Sequence, residues 1–353
     1  MSLTVERLEN MHDQVFLDDF IGMPILVREK KYQVGLVPAT HMRGLVQWGL
    51  ENHSSFWIVR EAGRPIVRLS ARPCQNMPLH GTIGCFEMDE SHPQAKDAFQ
   101  LALSSALEWL TARGVKHVIA PVDFNTWFNY RFPLPGKKFF PRFTWEPTTP
   151  PEYLEIFKAA GFAQFAHYDS VVFPHFRIGE YCFGAGHLRR SYLSIAKHGF
   201  SLRPFDQENF MTKEVPVFHE ISHEAFKEAL LFEPIDLQTF SQLYAAAKQV
   251  YDASPSCVLV APNGETAGFL FAFFDGDYLI IKSIAIRKKY QGLKLASGMI
   301  FHSAKMSFKQ NKKGTISALV KTGISSEKIA QNSKKNTWFT WSHEYVLLKK
   351  DLP

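Results

Sequence analysis

Hydrophobic and polar positions alternate with a period of two over residues 56–71 (FWIVREAGRPIVRLSA). The alternation breaks at Ala62-Gly63, which predicts a β-hairpin turning there. A short strand follows over 81–88 (GTIGCFEM). The period then becomes helical over about 93–113, where Ala98, Leu101, Leu103, Ala106, Leu107 and Leu110 recur at helical spacing and Gly114 ends the run. Residues 116–122 (KHVIAPV) read as a buried strand.

The second half repeats this order. Residues 257–274 (CVLVAPNGETAGFLFAFF) form a second hairpin pattern, with Asn263-Gly264 as a strong turn signal. A strand is predicted over 277–286 (DYLIIKSIAI), a helix over 293–308, and a strand over 315–320 (TISALV), with Gly314 placed after the helix as Gly114 is after the first. Hairpin, strand, helix and strand thus occur twice at matched lengths, which points to an internal duplication. The stretch from about 174 to 199, rich in Gly, His and Arg, reads as a connector. Beyond it, 199–206 (GFSLRPFD) reads as a strand, and helices are predicted near 208–231 and 237–251.

Composition narrows the class. With 353 residues the chain is long enough for two domains, and 46% hydrophobic against 21% charged residues excludes a disordered chain. The 31 Phe residues imply aromatic cores or an apolar ligand channel. MSLTVERLEN has charges where a signal peptide needs an apolar run, and no stretch of about 18 apolar residues is present, so a cytoplasmic protein is expected. Cys74, Cys85, Cys182 and Cys257 are far apart and make no CxxC pair, which fits reduced thiols and argues against a cysteine zinc site. From Lys282 to Lys350, fifteen Lys/Arg face only Glu327 and Glu344, a local net of +13. The total is +6, so the remainder carries −7. This asymmetry suits an anionic partner for the last fifth of the chain, or a solvated basic face.

The most informative junction follows the strand 277–286, where RKKYQGLKLASGMI opens a helix. A strand running through a basic, glycine-containing loop into a helix aims backbone N–H groups and a positive dipole end at one point, a place for a phosphate or pyrophosphate. Gly292 lets backbone approach such a ligand, Ala296 is small at the first turn, and Arg287, Lys288, Lys289 and Lys294 supply charge. Gln291-Gly-Leu-Lys-Leu-Ala296 resembles the Q/R-x-x-G-x-G/A signature of the GNAT acyltransferase superfamily. The surrounding order of elements is similar to a GNAT unit over roughly 199–352 and, more weakly, over 3–173. LEIFKAAGF (154–162) and the last strand, 343–352 (HEYVLLKKDL), fall where that fold expects them.

The resemblance implies an α+β fold of two tandem GNAT-like units, each a mixed, mostly antiparallel sheet flanked by helices. A degenerate first unit would span 1–175, a connector 176–198, and an acyl-CoA-binding unit 199–353. It implies acetyl-CoA or another acyl-CoA as co-substrate, with no metal. The backbone of Ile284, Ala285 and Ile286 would meet the pantetheine arm, and Gln291, Gly292, Leu293, Lys294, Leu295 and Ala296 the pyrophosphate. Ser326 would stand where the family's helix-four motif begins, with Ile329 and Ser333 completing it. The first half's corresponding loop, DESHPQAK, is acidic and lacks glycine, so no cofactor is expected there. The sequence also departs from the pattern at Lys294, which replaces the signature's first glycine, and at Ser333, where the family often has a Tyr. Ile280 stands where some members carry a carboxylate. The remaining acid–base candidates are Asp277, His343, Glu344 and Tyr345, and positioning alone can also drive such a reaction.

The expected activity is transfer of an acyl group to a small-molecule or peptide amine. The −7 remainder suggests cationic acceptors in the cleft between units. Two other readings stay open. In one, an aminoacyl-tRNA-dependent transferase uses the same scaffold, with Trp338, Phe339 and Trp341 stacking bases. In the other, the pair binds acyl-CoA without turnover. A nucleic-acid partner is otherwise not expected. His219-Glu220-Ile221-Ser222-His223 spells the helical zinc motif H-E-x-x-H, but no third ligand follows at the required spacing.

Overall fold

The computed structural model describes residues 2–29, 32–33, 37–135, 142–174, 186–250, 252–322 and 341–353. The first half contains β1 (Leu3–Arg7), α1 (Gln14–Val27), α2 (Ala39–Glu51), β2 (Ser55–Glu61), β3 (Arg64–Pro73), β4 (His80–Met88), α3 (Ala95–Thr111), β5 (His117–Ala120), β6 (Phe132–Pro133), α4 (Pro151–Ala159) and β7 (Ala163–Pro174). The second contains α5 (Gly186–Lys197), β8 (Ser201–Arg203), α6 (Val215–Phe226), α7 (Leu237–Val250), β9 (Cys257–Val260), β10 (Thr266–Asp275), β11 (Tyr278–Ile286), α8 (Leu295–Lys309), β12 (Gly314–Lys321) and β13 (Trp341–Asp351). Among the described residues no helix is long and apolar enough to cross a membrane.

Local chemistry explains most of these elements. The β2–β3 hairpin turns through Ala62 and Gly63, both at positive φ, as a two-residue hairpin connection demands. Along α3, Ala98, Phe99, Ala102, Leu103, Ala106 and Leu110 are buried, so the small and large apolar residues recur on the face turned to the sheet. The expected helix at 208–231 is shorter: a π-turn at Phe210–Glu214 precedes α6, which stops at Phe226. Part of the expected connector is helical. α5 packs on α8, where a side chain at Gly298 would come within 2.6 Å of Ile195.

The thirteen strands of the described residues join one sheet, in the order β1-β2-β3-β4-β5-β13-β7-β12-β11-β10-β9-β8, with β6 on β13. Each half gives its last strand to the other half. β7 pairs antiparallel with β12, β13 pairs antiparallel with β5, and the two exchanged strands pair with each other. The sequence of β13 anticipates a central place. Tyr345, Val346, Leu347 and Leu348 are four consecutive buried residues, whereas a strand with one wet face would alternate. The halves are also clamped by the segment after α6. Buried Glu233 pairs with buried Arg72 and accepts from the Gln75 amide at 2.6 Å, while the Trp127 indole donates to the Glu233 carbonyl at 2.8 Å.

Much of the Phe content is core. Phe205, Phe210, Phe218, Phe240, Phe269, Phe271 and Phe273 form one buried cluster between the sheet, α6 and α7, with Phe218 and Phe269 stacked at 4.2 Å.

Candidate functional site

In the second half, β11 and β12 run parallel and pair only from Tyr278–Gly314 to Ile281–Ser317. Beyond that point they part. β12 shifts register between Ser317 and Val320, with Leu319 at positive φ, and continues against β7. β11 bulges at Lys282, which is the extra residue between the pairs Ala272–Ile281 and Phe271–Ser283. From 282 to 286 its ladder runs only to β10, so the other edge, carried by Ile284, Ala285 and Ile286, faces the opening between the strands. An unpaired strand edge in a cleft can take an extended, amide-bearing ligand as an added strand.

That edge leads into the loop singled out in the sequence. A short 3-10 turn (Lys288–Tyr290) precedes Gln291, Gly292, Leu293 and Lys294, and α8 begins at Leu295 with Ala296 in its first turn. Gly292 has φ +87 with open space where a side chain would stand, a conformation glycine adopts at no steric cost. Lys294 is the N-cap of α8 at φ +58, also left-handed, and makes no side-chain cap bond. A lysine at the signature's first glycine therefore occupies a backbone position that glycine would fill with less strain. The leading N–H groups of α8 have no partner within the helix and point toward the loop, which suits an anion. Gln291 ties the loop to the strand instead, its amide donating to the Ile286 carbonyl at 2.9 Å.

Three of the four cations assigned to phosphate from the sequence are engaged nearby. Arg287 binds Glu220 at 2.6 Å, Glu265 at 3.2 Å and Glu224 at 3.4 Å, and Lys289 binds Glu265 at 2.6 Å. Lys288 donates its amide to Glu224 at 2.5 Å and brings its ammonium to 3.9 Å from Glu228. Hydrogen bonding to Arg287 holds the Glu220 carboxyl below its ordinary range. Among the described residues Lys294 has no ion pair and is exposed on the loop.

The acid–base candidates separate. Asp277 precedes β11 at the end remote from the loop, with its carboxylate 2.5 Å from the Lys313 ammonium. His343 and Tyr345 share one face of β13 and both meet Glu146, whose Oε1 accepts from Tyr345 at 2.6 Å. Burial, reinforced by Glu146, raises the Tyr345 phenol far above its usual range, so it stays protonated. Glu344 points to the opposite face, where it approaches His167 at 3.4 Å; one ligand atom from each of His167, Asp169 and Glu344 lies within 4.8 Å of the others. Ser326, Trp338 and Phe339 lie outside the described residues.

Glu146 and Lys282 were not singled out in the sequence. Glu146 carries no local signal, because it reaches β13 only through the chain crossing between β6 and α4, where Thr144 donates to Asp275 at 2.7 Å. Lys282 does carry one: it is the only charged residue in YLIIKSIAI. The H-E-x-x-H pattern resolves as packing. His219 Nε2 donates to the Ile235 carbonyl at 2.7 Å. His223 accepts the Ile235 amide at 3.1 Å and donates from Nδ1 to the His219 carbonyl at 2.8 Å. Burial lowers the His223 pKa, consistent with a neutral ring.

The first half has the same parting of strands, β4 from β5 after Thr82–Ile119, but the gap is filled. β5 ends before Pro121, which has no N–H to continue a ladder, and the chain turns into the gap. There the Val122 amide donates to the Ile83 carbonyl at 2.8 Å and Asp123 accepts from the Cys85 amide.

This architecture recurs in known structures. The chain has the tandem GNAT fold. A tandem GNAT protein from the clavulanic acid biosynthesis pathway aligns over 99% of this chain and 98% of its own, with TM-score 0.52 and 12% identity. A conserved protein of Enterococcus faecalis, described as a probable N-acyltransferase, aligns over 99% of this chain and 72% of its own, with TM-score 0.59 and 9% identity. A GCN5-related N-acetyltransferase from Kribbella flavida aligns over 99% and 72%, with TM-score 0.51 and 10% identity. No family profile matches the sequence, and no curated protein sequence matches it. At these identities the likeness is one of fold.

Proposed function

We propose that the protein transfers an acyl group, acetyl in the simplest case, from coenzyme A to an amine, with the cofactor in the second half only. The observation that carries this is the open parting of β11 from β12, whose free strand edge leads without interruption into the Gly292 loop and the start of α8. The backbone of Ile284 and Ile286 would pair with the pantetheine arm. The amides of the 291–296 loop, with the Lys294 ammonium, would hold the pyrophosphate. Coenzyme A supplies the acyl group as an activated thioester. The chain's part is to align the amine with the thioester carbonyl and to exclude water. Glu146, His343 and Tyr345 are proposed as positioning residues that fix the exchanged strand β13, because Glu146 holds both His343 and Tyr345.

Calorimetric titration with coenzyme A tests the reading. One molecule should bind per chain, and Gly292→Val should weaken binding by about tenfold or more, since it strains a left-handed backbone and fills the open space through which the ligand would approach. Asp277→Asn, at the far end of β11, should leave affinity unchanged. Equal affinity in wild type and Gly292→Val would place the cofactor elsewhere.

A further inference from the structure

Two cations at the floor of the open cleft have no task in the proposed transfer. Lys282, half-buried, is the bulged residue of β11 and the first past its last pair with β12. Arg131 comes from the first half and reaches the opposite lip, where Nη2 donates to the Leu319 carbonyl at 3.5 Å. Its guanidinium is 3.6 Å above the Tyr130 ring and 4.3 Å above that of Tyr168. The residue is 6% exposed, and its Nε is buried without a hydrogen-bond partner. Among the described residues neither cation forms an ion pair with a carboxylate. Burial first, and then the charge of Arg131, lowers the Lys282 ammonium to about 8.

A buried charge without a counter-charge is expensive, and a like charge beside it raises the cost. A fold that keeps both at the closed end of an open cleft is complementary to an anion entering from the cleft. The donors on offer are the Arg131 guanidinium, set against two tyrosine rings that stand at 83° to each other, and one flexible ammonium on the other lip. Two donors on two sides match the two oxygens of a carboxylate.

We propose that Arg131 and Lys282 form a carboxylate-binding subsite at the closed end of the cleft, so that a molecule reacting there carries a carboxylate close to its reactive centre. This deepens the acyl-transfer reading and rests on it for the identity of the reacting partners, though not for the subsite. The carboxylate has two possible sources, an amino-acid-like acceptor or the far end of a dicarboxylic acyl chain. It also reverses an expectation drawn from net charge. The −7 carried outside the basic C-terminal stretch suggested cationic acceptors, yet the nearest charges at the cleft floor are positive.

Calorimetry on the full chain separates these cases with two matched pairs of probes. N-acetylglycine against N-acetylglycinamide reports an acceptor carboxylate, and succinyl-CoA against butyryl-CoA reports an acyl carboxylate. In wild type one pair should favour its carboxylate member by about tenfold, and Lys282→Met should reduce that preference to about twofold or less while affinity for coenzyme A itself is unchanged. The Lys282 side chain makes no hydrogen bond or ion pair among the described residues, so this variant should fold, and its melting profile confirms that before titration. No preference in either pair, or a preference that Lys282→Met retains, overturns the subsite. Binding of N-acetylglycine over its amide with no binding of coenzyme A would keep the subsite and overturn the acyl-CoA reading instead.

Discussion

In the first half the fourth and fifth strands part after Thr82 and Ile119, and in the second half after Ile281 and Ser317. Gly84 and Lys282 hold corresponding places, each four residues past the first paired residue, His80 or Tyr278. At Gly84 a side chain would lie 2.1 Å from the Val122 carbonyl oxygen, so the absence of one lets the chain after β5 fill the gap. At Lys282 a long cation stands on the lip of a gap that no strand fills among the described residues, because β12 continues against β7 instead of turning back. One architecture thus yields a sealed half and an open half. The difference lies in where each fifth strand goes next, Pro121 ending one ladder while Leu319 shifts register within the other.

Substitutions at three positions can break or sharpen that contrast. The largest effect should come from Gly84→Val, which forces a side chain onto backbone with nowhere to move. Denaturant unfolding should show a loss on the order of 3 kcal/mol. Lys282→Val, at the matching place, should cost nothing comparable; similar losses at both positions would mean that the second gap is closed as well.

Next in size is the pH dependence at Lys282. Its pKa is lowered in the fold to about 8, against the ordinary lysine value near 10.5 in the unfolded chain. Below about pH 8 both states hold the proton and the native state bears the full cost of the buried charge. Between about 8 and 10.5 only the unfolded state holds it, so stability rises with pH. Lys282→Met should therefore be more stable than wild type at neutral pH, with the advantage shrinking as pH rises through that window. Parallel melts at pH 7 and pH 10 measure it, and a pH-independent difference would show that the ammonium is fully solvated.

The smallest effect is expected at Lys294. Replacing it with glycine relieves a left-handed backbone and should raise stability by about 0.5–1 kcal/mol in thermal unfolding. The same variant should weaken coenzyme A binding if the ammonium meets the pyrophosphate. Tighter binding would mean that the side chain crowds the loop.

Much of this was legible in the chain itself. Alternation and turn chemistry placed both hairpins, α3 and α8, because those signals act between residues a few positions apart. The 291–296 loop was legible for the same reason, since a strand, a glycine and a helix start are local features. The burial of β13 on both faces could also be read from its unbroken apolar run. What that run could not say is which neighbours bury it. Reciprocal exchange of β7 and β13 depends on contacts of residues 163–174 with 314–321 and of residues 117–120 with 348–351, and apolar patterning is indifferent to the identity of the partner strand. The same limit applies to charge. The sequence determined a strongly basic last fifth, while the tertiary structure spent Arg287 and Lys289 on Glu220, Glu224 and Glu265 and brought Arg131, about 150 residues away in the chain, within electrostatic range of Lys282. Electrostatic complementarity is set by distance in space, so only the folded chain could decide where its positive charge remains uncompensated.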